Sequence, residues 1–225
     1  MKTFTETEIN KIYNEKIKKN ENYFNRGLIK CPVRGWNYSW KNKDAPRCFC
    51  IMDFIQWINK YNIQNVKILN ITDNNDPELE FISSKKTNLY KYNSELNEND
   101  LHITNFDKCD FFIFNQTIEH LYNPFIALKN IYNSINNNGY IFTSVPSMCI
   151  PHNTPIHFGN YTPTGLAMLF LSVGFEILEI GFWGNRNYII NSFGINHDFP
   201  DIYKCNTFNE EKNVCGTWIL AKKVI

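Results

Sequence analysis

Apolar positions recur at helical spacing in two stretches before any strand-like run appears. Thr5 to Asn25 is polar with Ile9, Ile12, Tyr13 and Ile17 at helical spacing, which predicts an exposed amphipathic helix. An aromatic loop without regular period follows at Gly35-Trp36-Asn37-Tyr38-Ser39-Trp40. Cys50 to Tyr61 then carries Met52, Ile55, Ile58 and Tyr61 on one helical face. Val66 to Ile71 is a short apolar run read as the first strand, and Thr87 to Tyr92 as a second. Asp110 opens Phe111-Phe112-Ile113-Phe114, a continuous apolar run of the kind found in buried parallel strands.

The next helices carry start and stop signals. Asn123 is a suitable N-cap, Pro124 fits the first helical position, and Phe125, Leu128, Ile131, Tyr132 and Ile135 share a face. Asn136-Asn137-Asn138-Gly139 ends that helix, with Gly139 suited to a left-handed turn. Tyr140 to Val145 is a strand stopped by Pro146. Thr162, Pro163, the run Leu166 to Val173 and Gly174 repeat the same grammar. Phe175 to Ile180 and Thr217 to Ala221 complete the strands. Strands alternating with helices of this length predict an α/β domain with a mostly parallel sheet covered on both faces. The expected organisation is a helical and aromatic extension over residues 1–49 and one α/β domain over residues 50–225.

Composition narrows the function classes. Formal net charge over 225 residues is +1, and the densest basic run, Lys16 to Lys19, sits between Glu15 and Glu21. Nucleic acid is therefore not an expected partner, since backbone binding needs clustered Lys and Arg. No apolar run reaches membrane-spanning length and no signal peptide is evident, so no membrane association is expected. Seven scattered cysteines without a CxxC pair suggest a reducing cytoplasm. The aromatic share of 16% predicts a core or pocket lined by rings. Whether the chain forms a homodimer stays open.

The segment Asp110-Phe111-Phe112-Ile113-Phe114-Asn115-Gln116-Thr117-Ile118-Glu119-His120-Leu121 resembles the fourth-strand motif of class I S-adenosylmethionine (SAM)-dependent methyltransferases. The order downstream matches as well, and the likeness covers roughly Asp100 to Ile180. Val145-Pro146, Pro151-His152, Pro155-Ile156-His157-Phe158 and Tyr161-Thr162-Pro163-Thr164-Gly165-Leu166 resemble a subset acting on small molecules and sugars. The resemblance implies a Rossmann-like, mostly parallel seven-stranded sheet, with SAM as cofactor. It implies O-methylation of a small polar acceptor, such as a sugar or glycan precursor. One departure is plain: no glycine occurs between Gly35 and Gly139, whereas the family's cofactor loop is glycine-rich. The equivalent stretch is Leu69-Asn70-Ile71-Thr72-Asp73-Asn74-Asn75-Asp76, and Asn and Asp are the side-chain-bearing residues best suited to left-handed turns. A methyltransferase-like protein that binds a partner or another ligand without transferring methyl groups is the alternative.

Site residues follow from the resemblance. Cofactor contacts are expected from Asn70, Thr72 and Asp73 after the first strand, and from Asn93 and Glu95 after the second. Asp100 and Leu101 are expected near the adenine. Asn115 and Gln116 either bind the amino-acid end of SAM or serve only the strand-to-helix turn. Trp36 and Tyr38 are candidates for an acceptor lid, with packing as the other reading. Glu119, His120, Tyr161, Trp183 and Asn185 are expected to shape the acceptor site. His157, ahead of His152, is the candidate base for the acceptor hydroxyl. Ubiquinone-pathway O-methyltransferases bind a divalent metal through a Glu-His step with an earlier Glu. Gln116 stands at that earlier position, one anionic ligand short for a hard cation, so no metal is expected.

Overall fold

The computed structural model describes residues 2–17, 44–71, 76–90, 100–152, 155–193 and 208–224. Thr5 opens the first helix, α1 (Glu6–Ile12), through a capping box in which its hydroxyl and the Glu8 carboxylate exchange hydrogen bonds with each other's backbone amides. One π-helical turn, Tyr13–Ile17, continues it and buries Ile17 in the core. Helix α2 runs from Ala45 to Lys60 and so begins ahead of the expected Cys50. Asp44 caps it by accepting from Arg47 N at 3.0 Å, with Pro46 in the first turn.

Six strands form one sheet among the described residues: β1 (Val66–Ile71), β2 (Ser84–Tyr90), β3 (Cys109–Ile113), β4 (Ile135–Pro146), β5 (Phe175–Trp183) and β6 (Gly216–Lys223). A seventh does not occur among them. The order is β2-β1-β3-β4-β6-β5. Pairs β1–β2, β1–β3 and β3–β4 are parallel, and β6 runs antiparallel to both β4 and β5.

Alternation along the strands divides the core into two layers. Leu69, Phe112, Phe114, Ile141 and Ile219 face α3 (Pro124–Ser134) and α4 (Pro163–Val173). Ile68, Phe111, Ile113, Phe142, Trp218 and Leu220 face α2 and the short α5 (Arg186–Ser192). Aromatic rings knit the second layer, with Phe54 edge-on to Phe142 at 4.8 Å. The indole of Trp218 donates to the buried Asp53 carboxylate at 2.8 Å. No helix among the described residues is long and apolar enough to cross a membrane.

Both expected capped helices form with the expected caps. Asn123 accepts from Ile126 N at 3.2 Å, and Thr162 accepts from Gly165 N at 3.1 Å. Gly174 closes α4 at φ +114. The turn after α3 departs from expectation. Asn138, at φ 63, takes the left-handed position in place of Gly139. Gly139 is needed for another reason: a Cβ there would lie 2.7 Å from Ile135 Cγ2 and 2.9 Å from the Asp110 carbonyl. Asp110 itself braces the strand starts, accepting from Lys67 N at 3.0 Å and Asn136 Nδ2 at 2.9 Å. The Asn136 hydrogen bond leads in holding its carboxyl below the usual carboxylate range.

Gly184 follows β5 where the returning chain crosses tightly. A Cβ there would fall 2.1 Å from the Asn213 carbonyl and 2.3 Å from Cys215 N, both backbone atoms. Gly184→Ala is therefore expected to destabilise by at least ~2 kcal/mol, the range for overpacking a rigid site. Urea denaturation would read it, and an unchanged midpoint would refute the tight crossing.

Candidate functional site

In open α/β sheets, ligands bind beyond the carboxyl ends of the strands where the order reverses. That point lies between β1 and β3. Asn70, fully buried at the end of β1, donates Nδ2 to Asp76 Oδ2 at 2.7 Å and to the Ile113 carbonyl at 3.2 Å. Asn115, just past β3, accepts through Oδ1 from Ser144 Oγ at 3.0 Å. Asn70 Oδ1 and Asn115 Nδ2 are buried with no hydrogen-bond partner among the described residues. An acceptor and a donor are thus left unused at the switch point, an arrangement that costs free energy until a ligand supplies partners. Gln116, at φ 50, donates its backbone amide to the Ser144 carbonyl at 2.8 Å and Nε2 to Ser144 Oγ at 3.2 Å.

A buried ionic cluster closes the other side of this point. Arg47 forms a two-pronged ion pair with Glu78, using NH2 at 2.6 Å and NH1 in a still shorter contact, and reaches Asp76 at 3.7 Å. Burial opposes the guanidinium charge, but Glu78 and Asp76 outweigh it and raise the Arg47 pKa. Burial first, then the neighbouring Glu78, pushes Asp76 up to about 7, against the pull of Arg47 and the Asn70 amide. The Asn115 amide also eases the Asp76 charge, without reaching hydrogen-bond geometry.

Alongside lies a cleft of about 390 Å³ whose walls include Arg47, Gln116, Ser144, Cys149, His152 and Tyr188. Most of its lining is apolar with a few polar groups, the usual make-up of a small-molecule site. His152 lines the cleft and belongs to a cluster of three histidines with His120 and His157. His152 Nε2 lies 3.4 Å from His120 Nε2, and His152 Nδ1 lies 3.4 Å from His157 Nδ1. His120 is anchored through Nδ1 to the Ile156 carbonyl at 3.1 Å, and burial leads in lowering its pKa. Glu119 is buried beneath, Oε2 without a partner among the described residues, and burial raises its carboxyl to about 8. Its backbone carbonyl accepts from Phe158 N at 2.7 Å, which ties the histidine loop to β3.

The structure sorts the expected residues. Of the two candidate bases, His152 lines the cleft and His157 does not. Tyr161 is half-buried and tied down by its backbone, donating to the Pro146 carbonyl at 3.0 Å. Trp183 does not reach the acceptor side. It is fully buried, stacked on Phe49 at 5.2 Å, and its ring neighbour Tyr188 meets the cleft instead. Asn185 is likewise structural, capping α5 through Tyr188 N at 2.7 Å and donating to the Phe208 carbonyl at 2.9 Å. Asp100 accepts from the amide and ring Nδ1 of His102, at 2.9 and 2.6 Å, and Leu101 is buried in the core. Trp36, Tyr38, Thr72, Asp73, Asn93 and Glu95 lie outside the described residues.

No family model matches the sequence, and no curated protein matches it. Solved structures do. A Bacillus halodurans protein assigned as a methyltransferase superposes with a TM-score of 0.52 at 11% identity, covering 77% of this chain and 100% of its own. The 1,6-didemethyltoxoflavin-N1-methyltransferase of Burkholderia thailandensis, solved with its acceptor and S-adenosylhomocysteine, gives 0.52 at 10% identity, covering 100% and 93%. A protein assigned as a methyltransferase, solved in complex with the Haloferax volcanii methyltransferase activator Trm112, gives 0.52 at 9% identity, covering 82% and 98%. The chain has the class I methyltransferase fold. Within that fold the connection from β1 to β2, residues 72–83, holds only a single described 3-10 turn, Pro77–Glu80.

Arg47, Asp76 and Glu78 were not singled out from sequence, although Asp44-Ala45-Pro46 is a legible helix start that would have placed Arg47 in a first turn. Ser144 and Tyr188 carried no local signal at all.

Proposed function

We propose that the protein is a SAM-dependent methyltransferase that methylates an oxygen of a small polar acceptor. The observation that carries this reading is the pair of unused buried amide atoms, Asn70 Oδ1 and Asn115 Nδ2, at the switch point of a methyltransferase fold. They offer one acceptor and one donor, matching the ammonium and carboxylate of the SAM amino-acid end. Gln116 supports the same end, while Thr72, Asp73, Asn93, Glu95, Asp100 and Leu101 complete the proposed cofactor contacts. The acceptor occupies the neighbouring cleft, with Glu119, His120 and Tyr161 at its edge. Its hydroxyl oxygen attacks the sulfonium methyl, the C–S bond breaks, S-adenosylhomocysteine leaves neutral, and the hydroxyl proton passes to the His152 imidazole. Positioning supplies most of the rate in such an in-line displacement. A sugar acceptor follows from the motif resemblance around His152 to Leu166.

Thermal unfolding with S-adenosylhomocysteine tests the cofactor site. Ligand at a hundred times its Kd stabilises by about 2.7 kcal/mol. Asn115→Ala is expected to abolish the shift; it also removes the acceptor of the Ser144 hydroxyl, so the unliganded variant loses about 1 kcal/mol and the shift is read against the variant's own baseline. No shift with SAM or S-adenosylhomocysteine at millimolar concentration would refute the reading.

A second reading, a binding protein that keeps the sheet without methyl transfer, draws on the short β1–β2 connection and the buried Arg47–Glu78 pair beside it. Cofactor binding without turnover of any offered hydroxyl acceptor would favour it.

A further inference from the structure

We propose that Cys149, His152 and His157 bind a divalent transition metal of the zinc class, with one coordination position open to the cleft. This set shares no residue with the Glu119–His120 step weighed from sequence, where no metal was expected.

Hydrogen-bond partners set the tautomers. His120 Nδ1 lies 3.1 Å from the Ile156 carbonyl, which can only accept, so Nδ1 carries the proton and Nε2 keeps its lone pair. That lone pair faces His152 Nε2 at 3.4 Å, and the two nitrogens are complementary in the tautomer that carries the His152 proton on Nε2. At the other end, His157 Nε2 lies 3.0 Å from Asn160 Oδ1 and carries the His157 proton. His152 Nδ1 and His157 Nδ1 are then both bare, and they face each other at 3.4 Å. The Ile150 carbonyl also lies 3.4 Å from His152 Nδ1, but the tautomer that donates to it sets the bare Nε2 atoms of His120 and His152 against each other, so one lone-pair conflict remains either way. Two lone pairs at that distance repel, and a cation between them removes the conflict.

The third ligand completes the geometry. Cys149 Sγ lies 3.8 Å from His157 Nδ1, and the ligand atoms of Cys149, His152 and His157 all fall within 4.8 Å of one another. A tetrahedral zinc ion, with its usual bond lengths, separates neighbouring ligand atoms by about 3.3–3.6 Å. The two imidazoles already stand at that spacing, Cys149 is slightly beyond it from His157, and the widest separation in the set, at most 4.8 Å, closes by about an ångström of side-chain movement. One sulfur and two imidazoles select zinc, cobalt or nickel over magnesium or calcium, which prefer oxygen. Outer support is in place: His157 is oriented by Asn160, and His152 by His120. Cys149 and His152 both line the cleft, so the fourth position faces bound ligand or water, as in zinc sites that act on substrates. On loading, the Cys149 thiol gives its proton to solvent and the sulfur binds as thiolate.

Cobalt(II) titration of the full chain reads this without any assay of methyl transfer; because the metal takes the free lone pair of His152, the general-base role proposed above belongs to the metal-free protein. The expected result is one tightly bound ion with a thiolate-to-cobalt charge-transfer band. Zinc displaces it and magnesium does not. Cys149→Ser removes the band, His152→Ala or His157→Ala removes stoichiometric binding, and Asn160→Ala keeps the band but weakens affinity about 10- to 100-fold. Metal-free melting curves identify any variant that fails to fold, and Cys149→Ser, the smallest change, then carries the test. Absence of the band in the unmodified protein, its persistence in Cys149→Ser, or unchanged affinity in both histidine variants would overturn the proposal.

Discussion

Glu78→Gln is expected to destabilise the protein by about 3–5 kcal/mol, the cost of leaving one member of a buried ion pair without its partner. Glu78 is fully buried and Arg47 is 7% exposed, so water cannot replace the lost carboxylate charge. Asp76, 3.7 Å from Arg47, is the remaining anion and cannot restore the two-pronged contact. A domain of this size unfolds with about 5–15 kcal/mol in total, so the loss is a large fraction of the whole. Urea unfolding measures it. Arg47→Met combined with Glu78→Leu is expected to recover most of the loss, since the pair is then absent instead of broken. A double variant no more stable than Glu78→Gln would show that the pair also holds the β1–β2 connection in place.

The same variant changes the pH dependence. Asp76 is raised in the folded protein to about 7 from the ordinary 3.8, so its contribution to stability is fully present below pH 4. That contribution is lost as pH rises through 7, because the unfolded chain releases the proton earlier. Glu78→Gln removes the nearest like charge while Arg47 remains, and the Asp76 pKa falls. The decline in stability between pH 4 and 7 attributable to Asp76 is therefore expected to flatten. An equally steep decline in the variant would show that burial alone sets the Asp76 pKa.

Signals that act within a few residues were legible in the sequence. The caps at Asn123 and Thr162, the prolines behind them and the glycine after α4 each act within one turn, so their meaning survives without tertiary context. Strand cores such as Phe111 to Phe114 were legible because a buried parallel strand must be apolar on both faces. Gly139 was misread because glycine answers to two needs, a left-handed backbone and a close approach, and only packing separates them. Trp183 and Asn185 were expected at the acceptor site, and their burial was not legible because it depends on Phe49 and on the Phe208 backbone, far away in sequence. The ionic cluster joins residues 47 and 78, and the histidine cluster joins residues 120, 152 and 157. Neither spacing has any local period.

His152→Ala, assayed in chelator-treated protein where Nδ1 is free of metal, is expected to lower kcat by roughly 10²- to 10⁴-fold, the range for a lost general base. KM and the S-adenosylhomocysteine thermal shift should change little, since the imidazole acts on the proton that departs as the methyl group moves. The geometry ranks His152 first because it lines the cleft, while His157, 3.4 Å from it, does not. His157→Ala should therefore have a smaller effect. Stopped-flow or steady-state methyl transfer with a chosen hydroxyl acceptor measures both variants. The ranking is decisive for the mechanism. A larger loss in His157→Ala than in His152→Ala would move the proton to His157. Unchanged kcat in both would assign the whole rate to positioning at the switch point, the role proposed for Asn70, Asn115 and Gln116.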